Sequence, residues 1–127
     1  MKERRDFLRL DLREMLNLSP KDSPSLRLKC KTIDISYRGI GLYSDKRLEP
    51  KNKVDFELKT KLWDKPVTGS AKIAHVNLEK RPNCSNLFRM GIEFTQINKS
   101  TVIFILNRIQ NNICRQIKQR QLNKPSS

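Results

Sequence analysis

Asp34-Ile35-Ser36-Tyr37-Arg38-Gly39-Ile40-Gly41-Leu42 carries the residues of this chain best suited to hold a polar ligand. Successive side chains of an extended segment point to opposite faces, so Ile33 and Ile35 share one face and Asp34 and Ser36 share the other. Beyond the turn, Ile40 and Leu42 resume the apolar face and leave Gly39 and Gly41 on the side of the carboxylate and the hydroxyl. Two missing side chains clear a shelf there. Gly39 is also free to take the positive φ that a tight return demands, and its bare backbone admits a ligand or a neighbouring chain closely. Asp34 can accept from paired N–H donors such as those of a guanine edge, and Ser36 can donate to a phosphate oxygen. Taken alone, the stretch reads first as a hairpin turn whose Asp and Ser bond their own backbone.

A second polar set sits at the amino terminus, where Arg4, Arg5 and Arg9 crowd the first nine residues. Leu8, Leu10 and Leu12 alternate as on a half-buried strand, with Arg5 and Arg9 flanking its entrance. Leu8, Leu12 and Leu16 also fit a helical i, i+4 spacing, and strand is the expectation adopted. Without the Asp34 segment these arginines would read as a basic tail in free solution.

Arg4-Arg5-Asp6-Phe7-Leu8-Arg9 is an R-R-x-x-x-R pattern, and Asp34-Ile35-Ser36-Tyr37-Arg38-Gly39 is D-x-S-x-x-G. This pair, in this order and about thirty residues apart, resembles the PilZ family of cyclic di-GMP receptors. Gly69-Ser70-Ala71-Lys72-Ile73-Ala74-His75-Val76 and Arg89-Met90-Gly91-Ile92-Glu93-Phe94 look like that family's later strands, so the resemblance covers most of the chain. It implies a ligand site of Arg4, Arg5, Arg9, Asp34, Ser36 and Gly39. Arg5 and Arg9 would wrap the ligand from a flexible amino-terminal loop, residues 1–9, while Asp34, Ser36 and Gly39 line the barrel surface. Arg4 bears on whether one or two ligand molecules bind. The chemistry is coherent, because a guanidinium forks onto phosphate oxygens and onto the O6/N7 edge of guanine, and it stacks on rings. The family also implies a bacterial second-messenger adaptor that changes shape on binding and reports to a downstream protein.

The elements that must position these residues are mostly strands. Ser19 to Ser25 reads as a turn-rich linker, followed by Leu26, Leu28 and Cys30 on one face of a strand. Ile33 and Ile35 have the opposite parity, which a bulge near Thr32 would reconcile. Val54, Phe56, Leu58 and Leu62 alternate with charged residues, and Trp63 to Pro66 reads as a turn. Apolar parity shifts again between Val67, Ala71 and Ile73 and the later Ala74, Val76 and Leu78, which indicates another bulge or bend. Phe88, Met90, Ile92 and Phe94 face inward opposite Arg89, Gly91 and Glu93. Several short antiparallel strands suggest a small barrel or a sandwich.

The carboxy-terminal period is helical, since Val102, Ile105, Leu106, Ile109, Ile113 and Ile117 follow three- and four-residue steps, with Asn98 or Ser100 as the cap. That stripe either packs on the barrel or, through Ile113, Ile117 and Leu122, pairs with a second copy. The expectation is a mainly β chain: a small antiparallel six- or seven-stranded β-barrel over residues 10–95 with one C-terminal α-helix over 98–122, in a single domain of residues 1–127.

With 127 residues the chain can bury one core without disulfides or metal. Cys30, Cys84 and Cys114 match neither a disulfide framework nor a zinc site, and reduced, mostly buried thiols are expected. The terminus is charged from the start and no apolar run approaches signal or membrane length, so a cytoplasmic protein without membrane insertion is expected. A net charge of +14 favours phosphates, nucleic acids or an anionic surface as partners. After Glu93 there are no acids, whereas Lys99, Arg108, Arg115, Lys118, Arg120 and Lys124 remain. Catalysis is not expected, because there is one histidine, no metal-ligand cluster, no nucleophile elbow and no Walker-type loop. His75 is expected to be a hydrogen-bonded structural residue, and no cofactor is expected. The rival reading is a basic small-barrel nucleic-acid binder, with Phe7, Tyr37, Tyr43 and Trp63 as stacking candidates.

Overall fold

The computed structural model describes residues 9–79 and 87–122, with side chains as far as Ile117. Alternation of apolar and polar residues builds seven strands: β1 (Leu10–Asp11), β2 (Met15–Pro20), β3 (Leu28–Ile35), β4 (Gly39–Ser44), β5 (Lys53–Lys59), β6 (Val67–Glu79) and β7 (Leu87–Gln96). Helix α1 (Lys99–Leu122) follows. Antiparallel pairs β3–β2, β2–β5, β5–β6, β6–β7, β7–β4 and β4–β3 close a ring of six. The short β1 is the seventh strand and lies beside the end of β3. Closure leaves the six strands no free edge and fills the interior with alternate side chains, among them Leu16, Leu18, Cys30, Leu42, Val54, Leu58, Ile73 and Met90.

The amino-terminal segment differs from the expectation. Met15–Pro20 is a full strand between β3 and β5, with Leu16 and Leu18 wholly buried, so the linker shrinks to the turn after Pro20. Proline is tolerated as the last residue of a strand, because the next N–H, that of Lys21, resumes the ladder by donating to the Lys53 carbonyl at 2.9 Å. Leu26 is exposed and precedes β3 rather than joining its inward face, and Leu62 lies in the turn after β5. The break between β1 and β2 is held by Thr32, whose hydroxyl accepts from Glu14 N at 2.9 Å and donates to Leu12 O at 2.5 Å.

Both parity shifts seen in the sequence are irregularities in register, one between Thr32 and Asp34 and one between Ile73 and His75. A third, between Ser70 and Ala71, left no apolar signature. Asn98 caps α1 by accepting from the backbone N–H groups of Ser100 (3.0 Å) and Thr101 (3.4 Å). Val102, Ile105 and Ile109 are buried beneath the helix. Phe104 meets Trp63 edge to face at 4.9 Å. Ile113 and Ile117 continue the stripe but are 42% and 48% exposed, so the packed face ends near Ile109. Among the described residues no helix is long and apolar enough to cross a membrane.

Candidate ligand-binding site

The D-x-S-x-x-G residues form the β3–β4 hairpin. Ser36 N donates to Gly39 O at 2.8 Å, which leaves Tyr37 and Arg38 at the tip. Ser36 Oγ accepts from Arg38 N (3.2 Å) and Gly39 N (3.3 Å), so the hydroxyl rigidifies the turn. Its own proton has a long contact of 3.5 Å with Gly39 O and remains suited to a better acceptor. Two contacts pin the tip from outside: Phe94 N donates to Arg38 O at 2.8 Å, and Lys99 Nζ donates to Tyr37 O at 2.9 Å. Burial holds Lys99 below the ordinary lysine value; Arg38 adds repulsion, and Glu93 opposes both.

Asp34 leaves the inward parity of Leu28, Cys30 and Thr32 because of the bulge, and its carboxylate turns outward. Oδ1 accepts from Gly41 N at 3.1 Å and faces Arg9 Nη1 at 3.3 Å. Pairing of Leu10 with Ile35 and Asp11 with Asp34 brings this about, because it sets the entrance of β1 beside the carboxylate. The pair is open to water, with Arg9 47% and Asp34 18% exposed, so it contributes little to stability and is available to a ligand.

Register then extends the site across four strands. Asp34 pairs with Gly41, Gly41 with Gly91, and Gly91 with His75. Four strands at normal spacing make this row roughly 14 Å long. Its two middle positions are glycines, both buried, with Asp34 over Gly41 and His75 over Gly91. On one flank of the row lie Glu93 and Lys72, paired at 3.6 Å, and on the other lie Tyr43 and Arg89. A cleft of about 440 Å³ opens here, lined by Arg9, Ser36, Arg38, Gly39, His75 and Glu93.

Arg9, Asp34, Ser36 and Gly39 are therefore brought together, whereas Arg4 and Arg5 lie outside the described residues. Gly39 departs from the expectation. None of the described glycines has a positive φ, and the need for glycine there comes from across the sheet, where a Cβ would run into the Ile92 carbonyl. A valine at 39 would unseat β4 from β7 as well as fill the shelf. His75, expected as a hydrogen-bonded structural residue, is exposed and lines the cleft. Sequence reasoning had placed Gly91 outward without linking it to Gly41, because that link is a matter of register.

A family model described as PilZ domain matches residues 3–111. The chain belongs to the PilZ domain family. Its fold is similar to the PilZ domain of YcgR from Escherichia coli, solved with c-di-GMP (TM-score 0.72, 12% identity, 91% of this chain and 98% of that one). It is also similar to the Bacillus subtilis inhibitor of motility MotI/DgrA (TM-score 0.65, 15% identity, 94% of this chain and 54% of that one). A third similar structure is the PilZ domain of CeSA from a cellulose-synthesizing bacterium (TM-score 0.53, 14% identity, 82% and 96%). No curated protein sequence matches the chain. At these identities the structural likeness concerns the fold; the PilZ motifs of this chain are read from its own residues.

Proposed function

We propose that the chain is a receptor for cyclic di-GMP that relays the bound state to a protein partner without catalysing a reaction. The observation that carries this reading is the meeting of Arg9 and Asp34, twenty-five positions apart, over a glycine floor beside Ser36. A guanidinium offers a planar donor fork, and a carboxylate accepts the paired N–H donors of a guanine. In the sequence, Arg4 and Arg5 add two more guanidinium groups shortly before Arg9. Family membership and the likeness to the YcgR domain solved with c-di-GMP support the choice of ligand.

The relay follows from where the site's halves lie in the chain. Asp34, Ser36 and Gly39 belong to a hairpin pinned by β7 and α1, whereas the arginines precede the two-residue β1. A ligand touching both must fix the amino-terminal segment against the barrel, and its two phosphates neutralise arginines that otherwise repel one another. The binding signal is then a change in the surface offered to a partner. The likeness to an inhibitor of motility supports a protein as that partner.

Calorimetric titration with cyclic di-GMP tests the reading, with a short oligonucleotide at two salt concentrations as the control. Saturable binding at micromolar affinity, about −8 kcal/mol, is expected, with increased hydrogen-exchange protection of residues 2–10. Absence of binding up to millimolar ligand refutes it, and salt-sensitive oligonucleotide binding in its place would mark a nucleic-acid protein.

A further inference from the structure

We infer that His75 is an additional ligand contact at this site, and that its ionisation makes ligand affinity rise with acidity. The inference rests on the cyclic di-GMP reading above and extends it to a residue outside both arginine and D-x-S-x-x-G motifs.

The bulge in β6 is the first observation. Ile73 is buried, and two-residue periodicity would send His75 inward after it. The extra residue at Ala74 reverses that parity, so Ala74 and His75 are both exposed and both line the cleft. The bulge in β3 does the same for Asp34. The two polar ends of the glycine row are thus made by one device on its two outer strands.

The second observation is how the imidazole uses the space. It leans over Gly91, so that a Cβ there would collide first with Nε2 and then meet Cε1 at 2.7 Å and Cδ2 at 3.0 Å. The polar far edge of the ring therefore lies over the floor of the row. Asp34 lies over Gly41 in the same way at the other end, with Oδ1 at 2.5 Å from the Cβ position. A ligand lying across these two side chains meets a carboxylate at one end and an imidazole at the other.

The third is the charge around the ring. Arg9 and Arg38 line the cleft from the β1 entrance and the hairpin tip, Glu93 lines it from β7, and Lys72 on β6 faces Glu93. Arg89 pairs one step along β7, opposite Asn77. Two bound phosphates favour the charged ring, which donates from Nε2 to a phosphate oxygen. Histidine is the side chain that ordinarily changes charge between pH 5 and 8, and His75 is the chain's one histidine. A ligand that favours the imidazolium tenfold binds about tenfold more tightly below this range than above it.

The test is the affinity of the full chain for cyclic di-GMP from pH 5.5 to 8 at constant ionic strength, for the wild type, His75→Ala, His75→Gln and Arg9→Ala. The expected result is an affinity that falls about tenfold as pH rises in the wild type. His75→Ala should bind more weakly at low pH and lose that slope. His75→Gln should keep part of the affinity through its amide N–H but show the same flat profile. The α-amino group also titrates near this range, and the histidine variants separate its contribution. Binding that depends on Arg9 but has the same slope and strength in His75→Ala overturns this inference and leaves the receptor reading standing. Absence of ligand binding by the wild type at every pH overturns both.

Discussion

Gly41→Ala isolates the role of Asp34 without touching a charged group. An added Cβ at 41 would lie 2.5 Å from Asp34 Oδ1, 3.3 Å from Cγ and 3.7 Å from Oδ2, so its three nearest neighbours all belong to one side chain. At Gly39, by contrast, the obstacle is the backbone of Ile92. A backbone cannot swing aside, but a partly exposed carboxylate can. The expected response is rotation of Asp34 about its side-chain torsions, with loss of its bonds from Gly41 N (3.1 Å) and Arg9 (3.3 Å). Replacing a strand glycine by alanine returns about 0.5 to 1 kcal/mol in stability, which offsets part of the lost hydrogen bond and leaves the barrel folded. Affinity has no such offset. Losing one charge-assisted contact to the ligand costs about 1.5 to 3 kcal/mol, or roughly ten- to a hundredfold in Kd. Calorimetry beside thermal unfolding separates the two effects. Adding Gly41→Ala to Asp34→Ala should weaken binding no further, because both act through the same carboxylate. Wild-type affinity in Gly41→Ala would refute the role given to Asp34, and an additive double variant would show that the methyl group blocks the floor directly.

Arg9→Ala is expected to weaken binding by about 1.5 to 3 kcal/mol while Lys118→Ala, in the cationic end of α1, changes it little; equal losses by calorimetry would indicate diffuse attraction instead. Thr32→Val should cost about 2 to 4 kcal/mol in denaturant unfolding, because Leu12 O and Glu14 N lose their partner and β1 its seat. Burial pushes the Cys30 thiol up to about 12 from an ordinary 9.0, although Ser44 opposes the shift by hydrogen bonding. A thiol reagent at neutral pH should therefore label the exposed Cys114 and spare Cys30 until the chain unfolds. Because that pKa is higher folded than unfolded, the stability it confers is complete below about pH 9 and is lost as pH rises toward 12. Unfolding midpoints of the wild type and Cys30→Ala measured from pH 8 to 11 should converge at the alkaline end.

Much of the barrel is legible because alternation is a local property. β5 shows it plainly, with Val54, Phe56 and Leu58 buried between charged neighbours, and the helical stripe from Val102 to Ile109 is equally direct. β2 was obscured by its own ending. Ser19-Pro20 carries turn chemistry, and nothing near it in sequence reveals that Leu16 and Leu18 are enclosed by β3 and β5. Of the two reasons for glycine at 39, the positive φ does not hold, whereas the close approach is made by the backbone of Ile92, more than fifty residues away.

The site divides along the same line. Its residue types were visible as two motifs, and both parity shifts that mark the bulges were visible as well. Their purpose was hidden, because a parity shift says that a strand changes face without saying what the new face meets. Register supplies that: Asp34, Gly41, Gly91 and His75 come from four strands and form one row after the strands pair. The glycine at 91 reads locally as a gap in a strand, and the histidine at 75 as a hydrogen-bonded structural residue. Side by side they account for each other, because the imidazole needs the room that a Cβ on Gly91 would take. A bulge costs a ladder hydrogen bond and local regularity. Two of them, on the two strands that bound the glycine row and each turning a polar residue onto it, fit the ligand surface proposed above, whereas the core beneath needs neither polar residue.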